Sequence, residues 1–338
     1  MRVLFIGGTG NISTACSKLA LARGIDLHLL NRGQRPSEVA GAKTLTANIA
    51  DPASAAKVLA DQTWDVVVNW IAYTPQDVQR DIELFRGKTG QYIFISSAAC
   101  YQKPPVQPIV TESTPLYNPH WKYAQDKIAS EELLMKTYRE ADFPITIVRP
   151  SHTYQTIIPA ALGGCYSIID RMKRGLPIVV HGDGTSLWTL THSEDFAKGL
   201  VGLLGRSQAI GHAFHITSDE SLTWNQIHTA MAYAVGEKPN IVHVPTDFIM
   251  QVDLTKRGPL IGDKSHSTIF DNTKIKKLVP DFVCSIPFEQ GIKRTIAWFE
   301  ADPSRQKIAP ANAALQERLL TAYHTPRTPA MLAQSMLA

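Results

Sequence analysis

Cysteine is scarce in this chain, and its four copies, Cys16, Cys100, Cys165 and Cys284, form no CxxC pair. Such spacing gives neither a disulfide framework nor a zinc-ligand set, and it fits a reducing compartment. Charge of one sign is barely in excess: 34 Lys and Arg against 30 Asp and Glu leave +4, with no basic tail or stripe. The electrostatic footprint of a nucleic-acid binder is therefore missing. No apolar run reaches the roughly 18 to 20 residues that a membrane span needs, and the run near the N-terminus is broken by Gly7, Gly8 and Gly10. Neither a signal peptide nor a transmembrane helix is expected, and the expected location is the cytoplasm. His181, His192, His212 and His215 lack metal-ligand spacing with neighbouring carboxylates, so no metal site is expected. What remains is 338 residues with 44% hydrophobic and 19% charged side chains. Such a chain folds as one large globular domain or two intimate ones.

The first thirty residues are the most ordered in pattern. Val3-Leu4-Phe5-Ile6, Gly7-Gly8-Thr9-Gly10, a helix-compatible stretch ending at Arg23-Gly24, and Leu27-His28-Leu29-Leu30 read as strand, tight turn, helix and strand. Gly24 stands where a helix is closed by glycine, and the short connections call for a parallel sheet covered on both faces. Residues 65–69, 92–95 and 145–148 each read as a buried strand after a more polar segment, an alternation that runs to about residue 150. Beyond Pro150 the elements shorten and Gly and Pro recur, as in Gly163-Gly164, Gly175-Leu176-Pro177 and Gly182-Asp183-Gly184. That texture predicts a second lobe over residues 151–308. The Ala- and Leu-rich segment 309–338, with Pro326 and Pro329, predicts a peripheral helix and a loose tail.

Gly7-x-x-Gly10-x-x-Ser13 resembles a dinucleotide fingerprint, in which glycines let the backbone approach a pyrophosphate at a helix N-terminus. Ser13 stands where that pattern has Gly or Ala. At the end of the second strand, where an acidic residue would bond a ribose 2′-hydroxyl, the chain has Asn31 and Arg32. Without a carboxylate, Arg32 either pairs with a 2′-phosphate, giving a preference for NADP(H) over NAD(H), or is a solvated loop side chain. Tyr123 and Lys127 lie at i, i+4 in a helix-forming segment and so share a face. An ammonium beside a phenol is expected to pull the phenol below its usual value of about 10, toward use as a general base. Upstream, Ile95-Ser96-Ser97 places hydroxyls at the C-terminal end of a strand, the edge at which open α/β sheets bind ligands. Asp195 is expected to cap the helix that follows it, and Lys274, Lys276 and Lys277 to form a solvated face.

In this order, Gly7-x-x-Gly10, Ser96-Ser97-x-x-x-Tyr101 and Tyr123-x-x-x-Lys127 resemble the extended short-chain dehydrogenase/reductase superfamily, in its NAD(P)-dependent epimerase/dehydratase branch, over residues 1–300. The resemblance implies an α/β fold, a doubly wound parallel (Rossmann) sheet with a smaller C-terminal substrate lobe. Residues 1–150 would bind NAD(P), with segments around 185–216 returning to that domain. It implies Ser97, Tyr123 and Lys127 as the catalytic set, Lys127 also binding the nicotinamide ribose. Cofactor contacts would come from Gly7, Thr9, Gly10, Asn11, Ile12, Asn31, Arg32, Asn48, Ile49, Ile71 and Ala72. Asn48-Ile49 stands for the Asp-Leu pair that meets adenine, and Arg149-Pro150-Ser151-His152 for an Arg-Pro-x-Asn stretch where nicotinamide-side and substrate contacts meet. Substrate contacts would come from Ser97, Tyr123, His152 and Trp188.

Two departures bear on the substrate. Gly182-Asp183-Gly184 resembles a turn of sugar-nucleotide epimerases, yet Trp188 stands where those enzymes use Arg on the diphosphate, and His152 replaces Asn. Trp188 either stacks on a planar or apolar substrate or packs the lobe. The resemblance implies hydride and proton transfer at a carbinol or carbonyl carbon of a sugar nucleotide or another small hydroxy or keto compound. The alternatives are an NADPH-dependent reductase of a non-sugar carbonyl metabolite, or a nonenzymatic dinucleotide-sensing or RNA-binding member, of which the Asn31-Arg32-Gly33 turn is reminiscent. A homodimer is an analogy with relatives.

Overall fold

A computed structural model of the chain describes residues 1–34, 39–163 and 165–325. Gly164 and the tail carrying Pro326 and Pro329 lie outside the described residues.

Seven strands form one sheet: β1 (Arg2–Ile6), β2 (Asp26–Asn31), β3 (Lys43–Thr46), β4 (Val66–Asn69), β5 (Tyr92–Ile95), β6 (Ile145–Pro150) and β7 (His212–Ile216). Their order is β7-β6-β5-β4-β1-β2-β3, with every neighbouring pair parallel. The order reverses at β1, which makes the C-terminal edge beside β1 and β4 the crevice of the fold. The alternation of β1 explains both faces. Val3 and Phe5 join Ala15, Cys16 and Ala20 of helix α1 (Ser13–Ala22) on one side. Leu4 and Ile6 face the other side, with helices α2 (Pro52–Leu59) and α3 (Pro75–Phe85). Helix α4 (Lys122–Ala141) adds Leu134 to that second layer, and helix α5 (Ser193–Leu203) adds Phe196 and Leu200 to the first. All four apolar residues of β1 are fully buried, each contributing roughly 1.5–3 kcal/mol. Asp51 caps α2, and Thr74 with Asp77 forms a capping box on α3.

The lobe has its own core. Helices Trp224–Ala234, Phe288–Glu300 and Pro310–His324 pack around the parallel pair Ile178–His181 and Ile241–Val244. The last of these helices is more than peripheral: Leu315, Leu319 and Leu320 are buried in that core, and Gln316 accepts a hydrogen bond from the Val179 amide at 2.9 Å.

Two local expectations are corrected. Asp195 does not cap α5; His192 does, its Nδ1 accepting from the Glu194 amide. Asp195 lies inside the first turn, almost fully buried, and accepts from the Ile286 amide and Lys198. Lys274 is half-buried rather than solvated, because its ammonium donates to the Ala213 carbonyl at 2.8 Å and sits over Phe214. Strand β3 carries no apolar alternation, since Lys43, Thr44 and Thr46 are exposed.

Candidate active site

Parallel strands deliver their loops to one edge, and the sequence motifs all leave the sheet there. Gly7 follows β1, Asn31 ends β2, Asn48 and Ile49 follow β3, Ile71 and Ala72 follow β4, Ser96 and Ser97 follow β5, and His152 lies just beyond β6. Two glycines of the β1 turn stand in opposite surroundings. At Gly8, φ is +105° and a Cβ would lie 2.6 Å from Leu29 Cδ2, so the fold itself demands glycine. At Gly10 an added Cβ meets only Ser13 Oγ, at 3.4 Å, and the residue is exposed. Nothing inside the protein requires glycine there, and an open backbone face of this kind fits a phosphate group approaching the turn. Ser13 departs from the glycine pattern by accepting from the Gly10 amide at 2.8 Å, which withdraws one N–H from any ligand.

The other positions expected to meet a cofactor divide by exposure. Thr9, Arg32, Asn48 and Ile71 are exposed, while Ile49 and Ala72 are buried. Arg32 makes no hydrogen bond or ion pair with a described residue, so its charge is open to a ligand. Asn11 is committed through its side chain to the far side of the crevice, where its Oδ1 accepts from the Thr156 amide at 2.9 Å. Ile12, half-buried, packs against the first-face core. Ile71 is positioned from below: its amide donates to Asn69 Oδ1 at 2.8 Å, and Asn69 is held by Asp81, which also accepts from Tyr92. Burial raises the Asp81 carboxyl above its usual value. No sequence pattern pointed to this network.

Tyr123 and Lys127 do share a face of α4, but their electrostatics run opposite to expectation. The Tyr123 phenol is pushed up to about 12, because burial outweighs the hydrogen bond from Ser97 that lowers it. Lys127, 2% exposed, is itself pushed down to about 8 by burial. Its ammonium lies 5.9 Å from the Tyr123 ring and is tied to two carbonyls, donating to Ala72 at 2.7 Å and Ile95 at 2.8 Å. The lysine thus pins the ends of β4 and β5 together, and at neutral pH the phenol keeps its proton.

Ser97, Tyr123, His152 and Trp188 meet in one cavity of about 240 Å³. Burial lowers the His152 imidazole to about 3, so it is neutral there. Trp188 packs the lobe, being buried and stacked on Trp224 with centroids 5.8 Å apart, and it also lines the cavity. Among the cavity residues that sequence reasoning missed are Lys103, Trp121, Asp263 and Lys264, which belong to no spaced motif. Arg149 is corrected from the crevice to the interior, where its guanidinium forms a buried pair with Glu131, Nε to Oε1 at 3.0 Å and Nη2 to Oε2 at 2.6 Å. Glu131 also accepts from Ser96, so only the second serine of the pair reaches the cavity.

No helix among the described residues is long and apolar enough to cross a membrane. The sequence model of the NAD dependent epimerase/dehydratase family matches residues 3–217. Among curated relatives, 2′-dehydrokanamycin reductase of Streptomyces kanamyceticus is 24% identical over 287 residues, covering 83% of this chain and 80% of the relative. Chloroplast stem-loop binding protein of 41 kDa b, from Arabidopsis thaliana, is 26% identical over 263 residues, covering 73% of this chain and 67% of the relative. A solved structure of UDP-glucuronic acid 4-epimerase from Bacillus cereus, in complex with UDP-glucuronic acid and NAD, has the same fold. Its TM-score is 0.71 at 18% identity, covering 89% of this chain and 99% of the epimerase.

Proposed function

This chain belongs to the NAD dependent epimerase/dehydratase family, and from that premise we propose that it works as an NAD(P)-dependent oxidoreductase reducing the carbonyl of a small molecule. The observation that carries the proposal is the meeting of Ser97 and Tyr123 in one cavity, with the buried ammonium of Lys127 behind the phenol. A phenol held at about 12 is a proton donor at neutral pH. That state suits reduction, in which a carbonyl oxygen receives a proton while its carbon receives hydride. The bound dinucleotide supplies the hydride. Ser97 and Tyr123 hold the carbonyl oxygen between two hydroxyls, and Tyr123 O–H gives up its proton there. Lys127 fixes the loop ends at Ala72 and Ile95 and stabilises the phenolate that is left.

The dinucleotide would lie along the edge formed by Gly7, Thr9, Gly10, Asn11 and Ile12, Asn31 and Arg32, Asn48 and Ile49, and Ile71 and Ala72. The charge of Arg32, without a partner among the described residues, supports NADP(H) as the preferred form, with NAD(H) accepted. In this reading residues 1–150, together with segments around 185–216, bind the dinucleotide, and residues 151–308 supply most of the substrate side. Tyr123→Phe tests the assignment: NADPH affinity should stay within twofold, while kcat for carbonyl reduction falls about 10²- to 10⁴-fold, the usual contribution of a positioned general acid. A variant that keeps near-full turnover removes Tyr123 from the chemistry.

A further inference from the structure

The cavity that holds Ser97 and Tyr123 has an ionic composition that the proton and hydride transfer does not use. Lys103 is 1% exposed, and its ammonium has one hydrogen bond, to Thr268 Oγ1 at 3.1 Å. An ammonium carries three donors, so two are left without an acceptor among the described residues, in a place where water is largely excluded. Burial correspondingly pushes its proton affinity down. Lys264 is the second cation. It is carried by a single π-helical turn, Leu260–Lys264, an irregularity common at functional sites. Three donors fix the turn through the Lys264 carbonyl: His181 Nε2 at 3.1 Å, Ser186 Oγ at 3.2 Å and Trp224 Nε1 at 3.1 Å. Asn118 locks the same turn to the loop of the catalytic serine, donating to the Gly262 and Ala99 carbonyls at 2.6 and 2.8 Å.

Held this way, the Lys264 ammonium sits 5.7 Å from the ring centres of both Trp121 and Trp188, and that of Lys103 sits 5.9 Å from Trp188. One carboxylate faces them, Asp263, which pairs with Lys264 at 3.2 Å. Two cations and one anion leave the cavity one negative charge short. The deficit extends to hydrogen bonding, because the buried indole N–H of Trp188 has no acceptor either. Leaving such groups unsatisfied is costly, and a built site with surplus donors calls for an acceptor-rich ligand.

We propose that the substrate of this cavity carries a compact anionic group, a carboxylate or a phosphate ester, which Lys103 and Lys264 bind while its carbonyl meets Ser97 and Tyr123. The assignment of the carbonyl rests on the oxidoreductase reading above; the anion site does not. Lys103, Trp121, Trp188 and the π-helical turn with Lys264 come from four separated stretches of chain, which is why no motif announces them.

Calorimetry on the full chain, with and without saturating NADPH, tests this with a pair of probes of matched shape: benzoate, and its uncharged amide benzamide. The wild-type protein should bind benzoate at least tenfold more tightly than benzamide, and Lys103→Met should erase the preference while Lys264→Met reduces it. Because the wild-type comparison needs no variant, poor folding of Lys103→Met would not shield the idea. Inorganic phosphate that displaces benzoate would assign a phosphate ester, and benzoate binding that resists phosphate would assign a carboxylate. If NADPH binds and benzoate binds no better than benzamide, the anion site is overturned and the oxidoreductase reading survives. If the benzoate preference is present but NADPH does not bind, the anion site stands and the oxidoreductase reading fails.

Discussion

The turn after β1 and the cavity beside Tyr123 are made in opposite ways. The turn is seven consecutive residues, Gly7 to Ser13, shaped by backbone geometry with no charged side chain among them. The cavity gathers buried cations, a carboxylate and indole rings from segments between Ser97 and Phe270. A site of the first kind tolerates changes of charge elsewhere and fails when a Cβ is added. A site of the second kind depends on compensation among groups taken out of water, so removal of one partner is felt at a distance. The two regions should therefore respond to different perturbations.

The largest effect is expected at the buried pair that supports the cavity side. Glu131→Leu strands the Arg149 guanidinium, which is 5% exposed, and should cost about 3–5 kcal/mol in urea unfolding. A loss below 1 kcal/mol would show that the pair is already solvated and would erase the contrast between the regions.

Acid comes next, and it should act on the lobe. Burial holds His181 and His228 at about 4, against an ordinary value near 6.5. The unfolded chain takes up protons on them below 6.5 that the folded chain refuses until about 4. Stability is thus full above pH 6.5 and is lost as the pH falls toward 4. Between pH 7.5 and 5.5 the two histidines together should cost about 3 kcal/mol. His228→Leu should flatten the unfolding midpoint over that range, and an equally steep profile in the variant would refute the assignment.

The turn is probed by a pair of alanines. Gly8→Ala forces a side chain into a left-handed backbone and onto Leu29, at about 1–3 kcal/mol of stability. Gly10→Ala should leave thermal stability nearly unchanged and weaken dinucleotide binding. If both variants lose stability equally, the open face at Gly10 has no ligand role. The smallest expected change is at the rim. Arg32→Ala should lower the ratio of NADPH to NADH affinity about tenfold, near 1.4 kcal/mol, and an unchanged ratio would leave Arg32 a solvated side chain.

The legibility of the chain follows the same division. Strands β1, β2, β4, β5 and β6 announce themselves as apolar runs because both their faces are buried. Strand β3 is hidden, since Lys43-Thr44-Leu45-Thr46 forms an exposed edge whose place is fixed by pairing with β2 rather than by burial. The i, i+4 spacing correctly placed Tyr123 and Lys127 on one helix face. It could not give the sign of the phenol's shift, which depends on how much water is excluded around it.

The sequence by itself determined the sheet and its crevice, the glycine turn, and the helix that aligns Tyr123 with Lys127, because each rests on contiguous residues and local geometry. Only the tertiary structure decided that Tyr123 stays protonated, that Arg149 serves the interior, and that Lys103, Asp263 and Lys264 share a cavity with Trp188. Charge and proton affinity are set by desolvation and by neighbours within a few ångströms. Those neighbours lie up to 165 residues away along the chain, as Lys103 and Thr268 do, and a linear pattern holds no record of the distance between them in space.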